Sequence, residues 1–210
     1  MINTNITICI LLWFFFGLQH SILARPSTKR IISKIFGLSF EKHFYPLIYF
    51  ISQCIIFLAI YDMIRHLVPT YIFFVIPEKF ELFIYCLNRL SNLFLIITIF
   101  HFDIGRFIGI TQLIEFFFQK QKNEKNLIND TKLNSSYLYK YIRHPMYLGI
   151  ILVFITSTTI YTDLFLLNII CIVLYIEIGS YFEEKSLIKK FGNQYIEYQK
   201  KTKRYIPILR

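Results

Sequence analysis

Residues Tyr139–Gly149 read YKYIRHPMYLG and carry the chain from a basic, aromatic stretch into a hydrophobic run. Proline has no amide hydrogen and disfavours helix in the residue before it, so a helix is expected to begin near Pro145, with Arg143 and His144 at its amino end. Unpaired amides and the helix dipole favour negative charge there, and a guanidinium beside them can take a carboxylate through two hydrogen bonds. The stretch reads as the mouth of a hydrophobic helix and as an anion pocket.

Working outward, the whole chain is apolar. Its 210 residues are 55% hydrophobic and 19% aromatic, with a mean hydropathy of +0.50. Several runs approach the roughly 20 apolar residues that cross a bilayer, which marks an integral membrane protein. The net charge of +10 arises from Lys and Arg in the loops between runs and in the carboxyl tail. Anionic lipid and membrane topology account for that charge, so the expected partner is the bilayer and not nucleic acid. Cys9, Cys54, Cys86 and Cys171 stand singly in apolar segments, without the Cys/His spacing of a metal site, and read as small buried hydrophobes with no metal.

Loop charges set a topology. The first span runs from Ile6 to about Ala24; without a basic residue before it or a small-x-small cleavage site, it reads as retained and not as a cleaved signal. Arg25, Lys29, Arg30, Lys34 and Lys42 outweigh Glu41 and place the next loop inside. Phe44 to about Ile64 makes a second span, and the weakly charged stretch that follows, bounded by Pro69 and Pro77, suits the outer side. A third span from near Leu82 to His101 has a polar first half in Asn88, Arg89, Ser91 and Asn92; Arg89 is expected near the interface or facing protein. Between Asp103 and Tyr141, Arg106, Lys120, Lys122, Lys125, Lys132 and Lys140 exceed Asp103, Glu115, Glu124 and Asp130, which places this stretch inside. Ile108–Phe118 fits an interfacial helix and Asn123–Ser136 a polar loop. Tyr147 to about Thr159 and Leu164 to about Tyr181 form a hairpin of spans turning outside at Tyr161-Thr162-Asp163. From Glu183 onward Leu187, Phe191, Tyr195 and Tyr198 recur at helical spacing among basic residues. The expected fold is therefore an all-α integral membrane protein, a single domain over residues 1–210, with about five transmembrane helices and a cytoplasmic amphipathic carboxyl-terminal helix.

This topology gathers polar residues at the cytoplasmic edge. Gln19 and His20 end the first span, His101 and Asp103 the third, Arg143 and His144 begin the fourth, and Glu183 and Glu184 end the fifth. Each taken alone reads as a structural group or a water-facing helix end, and Glu183-Glu184 has Lys189 and Lys190 as helical partners. Together they outline a site in which a carboxylate can accept ribose hydroxyls; Tyr139, Tyr141, Tyr147, Tyr195 and Tyr198 read first as interfacial belt residues, and alternatively as faces that stack a base or attract a sulfonium. No GxGxxG follows a strand, and Gly105 with Gly109 fits only a GxxxG spacing, so a cofactor site would be built from membrane helices and their ends.

The pattern RHPMYLG from Arg143, then Glu183-Glu184, Leu187, Phe191-Gly192, Tyr195 and Tyr198, and finally Arg204 and Pro207, resembles the isoprenylcysteine carboxyl methyltransferase and phospholipid methyltransferase superfamily. In the amino half, FGLQHSILARPSTKR (Phe16–Arg30) and HFDIGRFIGITQ (His101–Gln112) are similar to the methanethiol S-methyltransferase branch, which is grouped with NnrU-like membrane proteins. The resemblance implies S-adenosylmethionine as methyl donor, bound in a cofactor half over residues 139–207. It places Arg143, His144, Pro145, Tyr147, Leu148 and Gly149 on one side and Glu183, Glu184, Tyr195 and Tyr198 on the other. Two departures bear on the acceptor. Ser180-Tyr181-Phe182 stands where prenylcysteine enzymes carry an Arg, and Arg106-Phe107-Ile108 alters the spacing of the HFDLFGLRQ-like motif.

The implied activity is methyl transfer to a small thiol, methanethiol giving dimethyl sulfide, with the active site toward the cytoplasm. His20 and His101, with Asp103 orienting an imidazole, are the expected catalytic groups that accept the thiol proton. Two alternatives stand beside it: methylation of a lipid amine, a lipophilic thiol or a prenylcysteine carboxylate, and a non-catalytic NnrU-like membrane protein.

Overall fold

The computed structural model describes residues 4–67, 71–101, 103–118, 133 and 137–206. In chain order its elements are α1 (Thr4–Ala24), α2 (Pro26–Phe36), α3 (Leu38–His43), α4 (Tyr45–Arg65), β1 (Ile72–Val75), α5 (Glu81–Phe100), α6 (Ile104–Ile108), α7 (Ile110–Phe117), α8 (Pro145–Ile155), β2 (Ile160–Thr162), α9 (Asp163–Phe191) and α10 (Asn193–Lys201). Among the described residues α1, α4, α5 with the turn before it, and α9 are long and apolar enough to cross a membrane, and α8 is a shorter apolar helix. Their large apolar side chains point outward, as at Phe14 and Leu58, which suits lipid as the surrounding solvent. The protein is an all-α integral membrane protein, with four membrane-length apolar helices and one shorter apolar helix among the described residues.

The chain forms two compact units. The first holds α1 to α4 with α6 and α7. There α1 packs on α4 through Trp13, Phe16 and Phe57, whose rings meet edge to face at 5.8 to 6.2 Å. Prolines near the starts of α2 and α4 preset the backbone where an amide is not needed. The expected interfacial helix over Ile108–Phe118 is instead two short helices broken at Gly109, whose φ of +92° is left-handed. Gly109 lies directly against the backbone of Pro46 and Leu47, and a methyl group there would come within 2.4 Å of the Leu47 nitrogen.

The second unit holds β1, α5, α8, β2, α9 and α10. Helix α8 packs on α5 at Gly149, where a Cβ would stand 3.1 to 3.2 Å from Leu95. The polar first half of α5 is put to use: Asn88 donates to the Val153 carbonyl at 3.3 Å and to Thr156 Oγ1 at 3.1 Å on α8, while Asn92 donates back to Asn88. Such amide bonds join helices where lipid offers no hydrophobic drive. Arg89 is exposed, its guanidinium 4.7 Å from the centre of the Tyr85 ring.

Two expected boundaries differ. Helix α8 stops at Ile155, because the following residues turn into β2, which pairs antiparallel with β1 (Ile72 with Thr162, Phe74 with Tyr161, Val75 with Ile160). The two connections expected on the outer side thus lie at the same end of this unit. Helix α9 runs past Tyr181 to Phe191, 29 residues in all, carrying Glu183 and Glu184 within the helix and not at its end. The polar loop expected over Asn123–Ser136, with its lysines, and Pro69 and Pro207 fall outside the described residues, Leu133 excepted.

Candidate active site

Pro145 opens α8 in its first turn, with His144 as the residue before the helix. The extended residues leading into it pair with the chain beyond α10. Ile142 bridges Lys203 in parallel, the Arg143 amide donates to the Lys203 carbonyl at 2.7 Å, and the His144 amide donates to the Arg204 carbonyl at 3.0 Å. Gly192, with φ +58°, ends α9 and lets α10 fold back, burying Tyr195. Tyr198 donates to the Tyr139 carbonyl at 2.6 Å and ties α10 to the opening stretch.

Glu184 is the hub of this end. Its Oε1 accepts from Arg143 Nε at 2.8 Å and His144 Nε2 at 3.0 Å; its Oε2 accepts from Gln199 Nε2 and Arg204, each at 3.0 Å. A carboxylate this buried is tolerable only when charge and lone pairs are both answered, and here four donors surround it. Because a carboxylate only accepts, His144 Nε2 carries a proton. Arg143 is spent in two directions, for its Nη1 also donates to the Gln199 carbonyl at 3.2 Å and to the Thr202 carbonyl, at the negative end of α10. Arg204 reaches on to Glu177 Oε2 at 3.0 Å, and its carboxylate partners push its pKa up.

Glu183 differs. Its side chain is 42% exposed, accepts the Tyr147 hydroxyl at 2.9 Å, and lies 3.6 Å from His144 Nδ1, too far for a good hydrogen bond. The Tyr147 ring stacks on the His144 ring, centres 5.3 Å apart at 14°, and the Tyr205 ring, tilted by 45°, has its centre 5.9 Å from that of His144. Half-exposed carboxylate, phenol and aromatic faces together can take a ligand that offers hydroxyl donors and a delocalised or cationic group. Burial pushes the Tyr198 and Tyr205 phenols up to about 12 and Tyr195 higher, so all three serve as neutral groups.

Of the residues expected on the cofactor side, Arg143, His144, Tyr147, Glu183 and Glu184 are brought together by direct bonds or ring contacts, and Tyr195 lies against Tyr198 at the same end. Pro145 is buried at the mouth of α8, Leu148 sits in its first turns, and Gly149 faces α5. Sequence reasoning left Glu177, Ser180, Gln199, Thr202 and Tyr205 out of the site. The signal for two of them was present: Glu177, Ser180 and Glu184 follow at helical spacing along one face of α9.

The residues expected to act as proton acceptors are divided between the units. His101, in the second, closes α5 with Nδ1 bonded to the Ile97 carbonyl at 2.7 Å and its ring edge-on to Tyr137. Asp103, in the first, caps α6 by accepting from the Arg106 amide at 3.0 Å, and Arg106 joins it to Glu115. His20, also in the first, lies in α1 within a cluster no motif predicted, where its Nδ1 meets Gln53 Oε1 at 3.2 Å and Tyr49 Oη lies 3.1 Å from both ring nitrogens. Gln53 is the amide in an apolar run with Tyr49 one turn before it, a spacing that marks a shared face. Among the described residues no group of three or more His, Cys, Asp or Glu side chains is arranged to hold a metal ion.

The phospholipid methyltransferase family model matches residues 90–194, the stretch that contains Arg143, His144, Glu183 and Glu184. Methanethiol S-methyltransferase 2 of Bradyrhizobium diazoefficiens is 28% identical over 204 residues, covering 97% of this chain and 74% of its own. Methanethiol S-methyltransferase of Pseudomonas deceptionensis is 28% identical over 209 residues, with 96% and 72% covered, and that of Mycobacterium tuberculosis is 25% identical over 206, with 98% and 80% covered. No solved structure matches the chain.

Proposed function

The chain belongs to the phospholipid methyltransferase family, and on that premise we propose that it transfers a methyl group from S-adenosylmethionine to a small thiol, methanethiol giving dimethyl sulfide. The observation that carries the donor is the contrast between neighbouring carboxylates: Glu184 is saturated by four partners, whereas Glu183 is half exposed beside the Tyr147 phenol. In this reading Glu183 accepts ribose hydroxyls, and the Tyr147, His144 and Tyr205 faces take a base or sulfonium. Arg143, Pro145, Leu148, Gly149, Tyr195 and Tyr198 line this wall; Arg143 gives Nε and Nη1 to the network, which leaves Nη2 to add to a donor carboxylate. When bound, the sulfonium supplies an electrophilic methyl, so the protein's own work is alignment and a thiolate.

The thiol acceptor is supported by the relatives, all three named as methanethiol S-methyltransferases and aligned over nearly the whole chain. Free thiols titrate near 8.5, so a base raises the reactive fraction at neutral pH. That role is assigned to His20 or His101, while the Asp103 carboxylate is held by Arg106 at the start of α6. The acceptor sulfur gives up its proton and takes the methyl as the methyl's bond to the donor sulfur breaks, which leaves two neutral thioethers. The cofactor end would face the cytoplasm, as the basic loops direct.

Headspace gas chromatography of purified protein in lipid, supplied with S-adenosylmethionine and methanethiol, tests this directly. Dimethyl sulfide above a Glu183→Gln control supports the reading. Labelled methyl appearing in lipid extract while the headspace stays empty would replace the thiol by a lipid acceptor.

A further inference from the structure

We infer that His20 is held as the tautomer protonated on Nδ1, so that Nε2 is its proton-accepting atom, with Gln53 and Gln19 as the positioning residues that enforce this. The inference rests on reading His20 as the acceptor-side base, and it follows from a chain of donors and acceptors inside the first unit.

The chain starts at a group whose role is unambiguous. The Phe16 backbone carbonyl can only accept, so the Gln19 side-chain atom 3.2 Å away is the amide nitrogen. That same nitrogen lies 2.7 Å from Gln53, which must therefore present Oε1. The return contact agrees, with Gln53 Nε2 donating to Gln19 Oε1 at 3.3 Å. Turning either amide over would set nitrogen against nitrogen or oxygen against the Phe16 oxygen. Gln53 is 7% exposed inside a membrane span, where no water relieves such a mismatch. Gln53 Oε1 then faces His20 Nδ1 at 3.2 Å, and an oxygen acceptor at that position requires a proton on Nδ1. A neutral ring keeps its lone pair on Nε2. Tyr49 Oη lies 3.1 Å from both ring nitrogens and 3.4 Å from the His20 carbonyl; with the proton on Nδ1, the ring nitrogen it can donate to is Nε2, until an acceptor S–H takes its place.

Helix-joining amides are common in membranes, and a merely structural cluster would hold α1 to α4 without regard to the tautomer. Nitrogen-15 NMR separates the two. The chain has five His, so His20 in labelled full-length protein in lipid nanodiscs is assigned by the signal lost in His20→Gln. Wild-type protein should show His20 protonated on Nδ1. Gln53→Met should mix the tautomers and lower kcat by about ten- to a hundredfold with KM little changed, a partial loss of the roughly 10²–10⁴-fold that general-base catalysis supplies. If Gln53→Met fails to fold, Gln19→Met, which frees the Gln53 amide to turn, should mix them by the same route. His20 protonated on Nε2 in the wild type, or tautomers and kcat unmoved in the variants, overturns the inference. A wild type with the expected tautomer and no dimethyl sulfide overturns the thiol reading instead, because the NMR signal does not depend on methyl transfer.

Discussion

Arg143 Nε donates to Glu184 Oε1 across 2.8 Å, and the two side chains are only 12% and 7% exposed. They join the start of α8 to α9, and through the Gln199 and Thr202 carbonyls they fasten the end of α10 as well. Removing one partner strands a buried charge, at a cost of about 3–5 kcal/mol. Glu184→Ala and Arg143→Ala should therefore each lower thermal stability in detergent steeply. The double variant should lose less than the sum of the two, and strict additivity would show the pair to be uncoupled.

Glu183 stands next in sequence yet outside that knot, so its removal should spare the fold. Glu183→Gln and Tyr147→Phe should unfold close to wild type and weaken S-adenosylmethionine binding by about tenfold or more, as loss of a charge-assisted hydrogen bond does. Titration calorimetry checks this, and unchanged affinity in both would remove Glu183 from the donor site.

Gly37 and Gly109 share a positive φ, +89° and +92°, extended at Gly37 (ψ 156°) and left-handed helical at Gly109 (ψ 0°), and they differ in their surroundings. A Cβ on Gly37 meets nothing within 4 Å, whereas one on Gly109 meets the Pro46–Leu47 backbone at 2.4 to 2.8 Å. Gly37→Ala should cost only the strain of a side chain at that positive-φ extended backbone, about 1–3 kcal/mol. Gly109→Ala adds a clash with atoms that cannot rotate away and should reduce folded yield far more, as size-exclusion of detergent extracts would show.

The half-buried Tyr198 phenol, pushed up to about 12 by desolvation, gives the fold an alkaline limit. The unfolded chain loses this proton near the ordinary value of about 10, so the folded state binds more protons above it. The stabilisation is complete below about pH 10 and is lost as pH rises toward about 12. Circular dichroism should show stability falling across that window, with a shallower fall in Tyr198→Phe, which also loses the bond to the Tyr139 carbonyl.

Much of this could be read from sequence because its causes are local. A run of about 20 apolar residues has few places to go other than a bilayer, and the runs from Phe44 and Leu82 became α4 and α5 within a residue or two. Pro145 marked its helix start for the same reason, since a missing amide acts on the residue that lacks it. The family pattern pointed to Arg143 and Glu184, but not to their relationship.

That relationship depends on residues far apart in the chain, and only the tertiary structure decided it. Arg143 and Glu184 are 41 positions apart; both can bind an anion or a ribose in principle, and which does so depends on what else packs against them. The fold-back of α10 with the chain beyond it brings Gln199, Thr202 and Arg204 to the pair, closing Glu184 and leaving Glu183 open. Likewise α9 runs through Glu184 because four donors make its charge tolerable where sequence polarity alone ended the span near Tyr181. Periodicity and composition assign residues to helices and helices to a membrane, while the pairing of two buried charges is a long-range fact set by the packing that removes them from water.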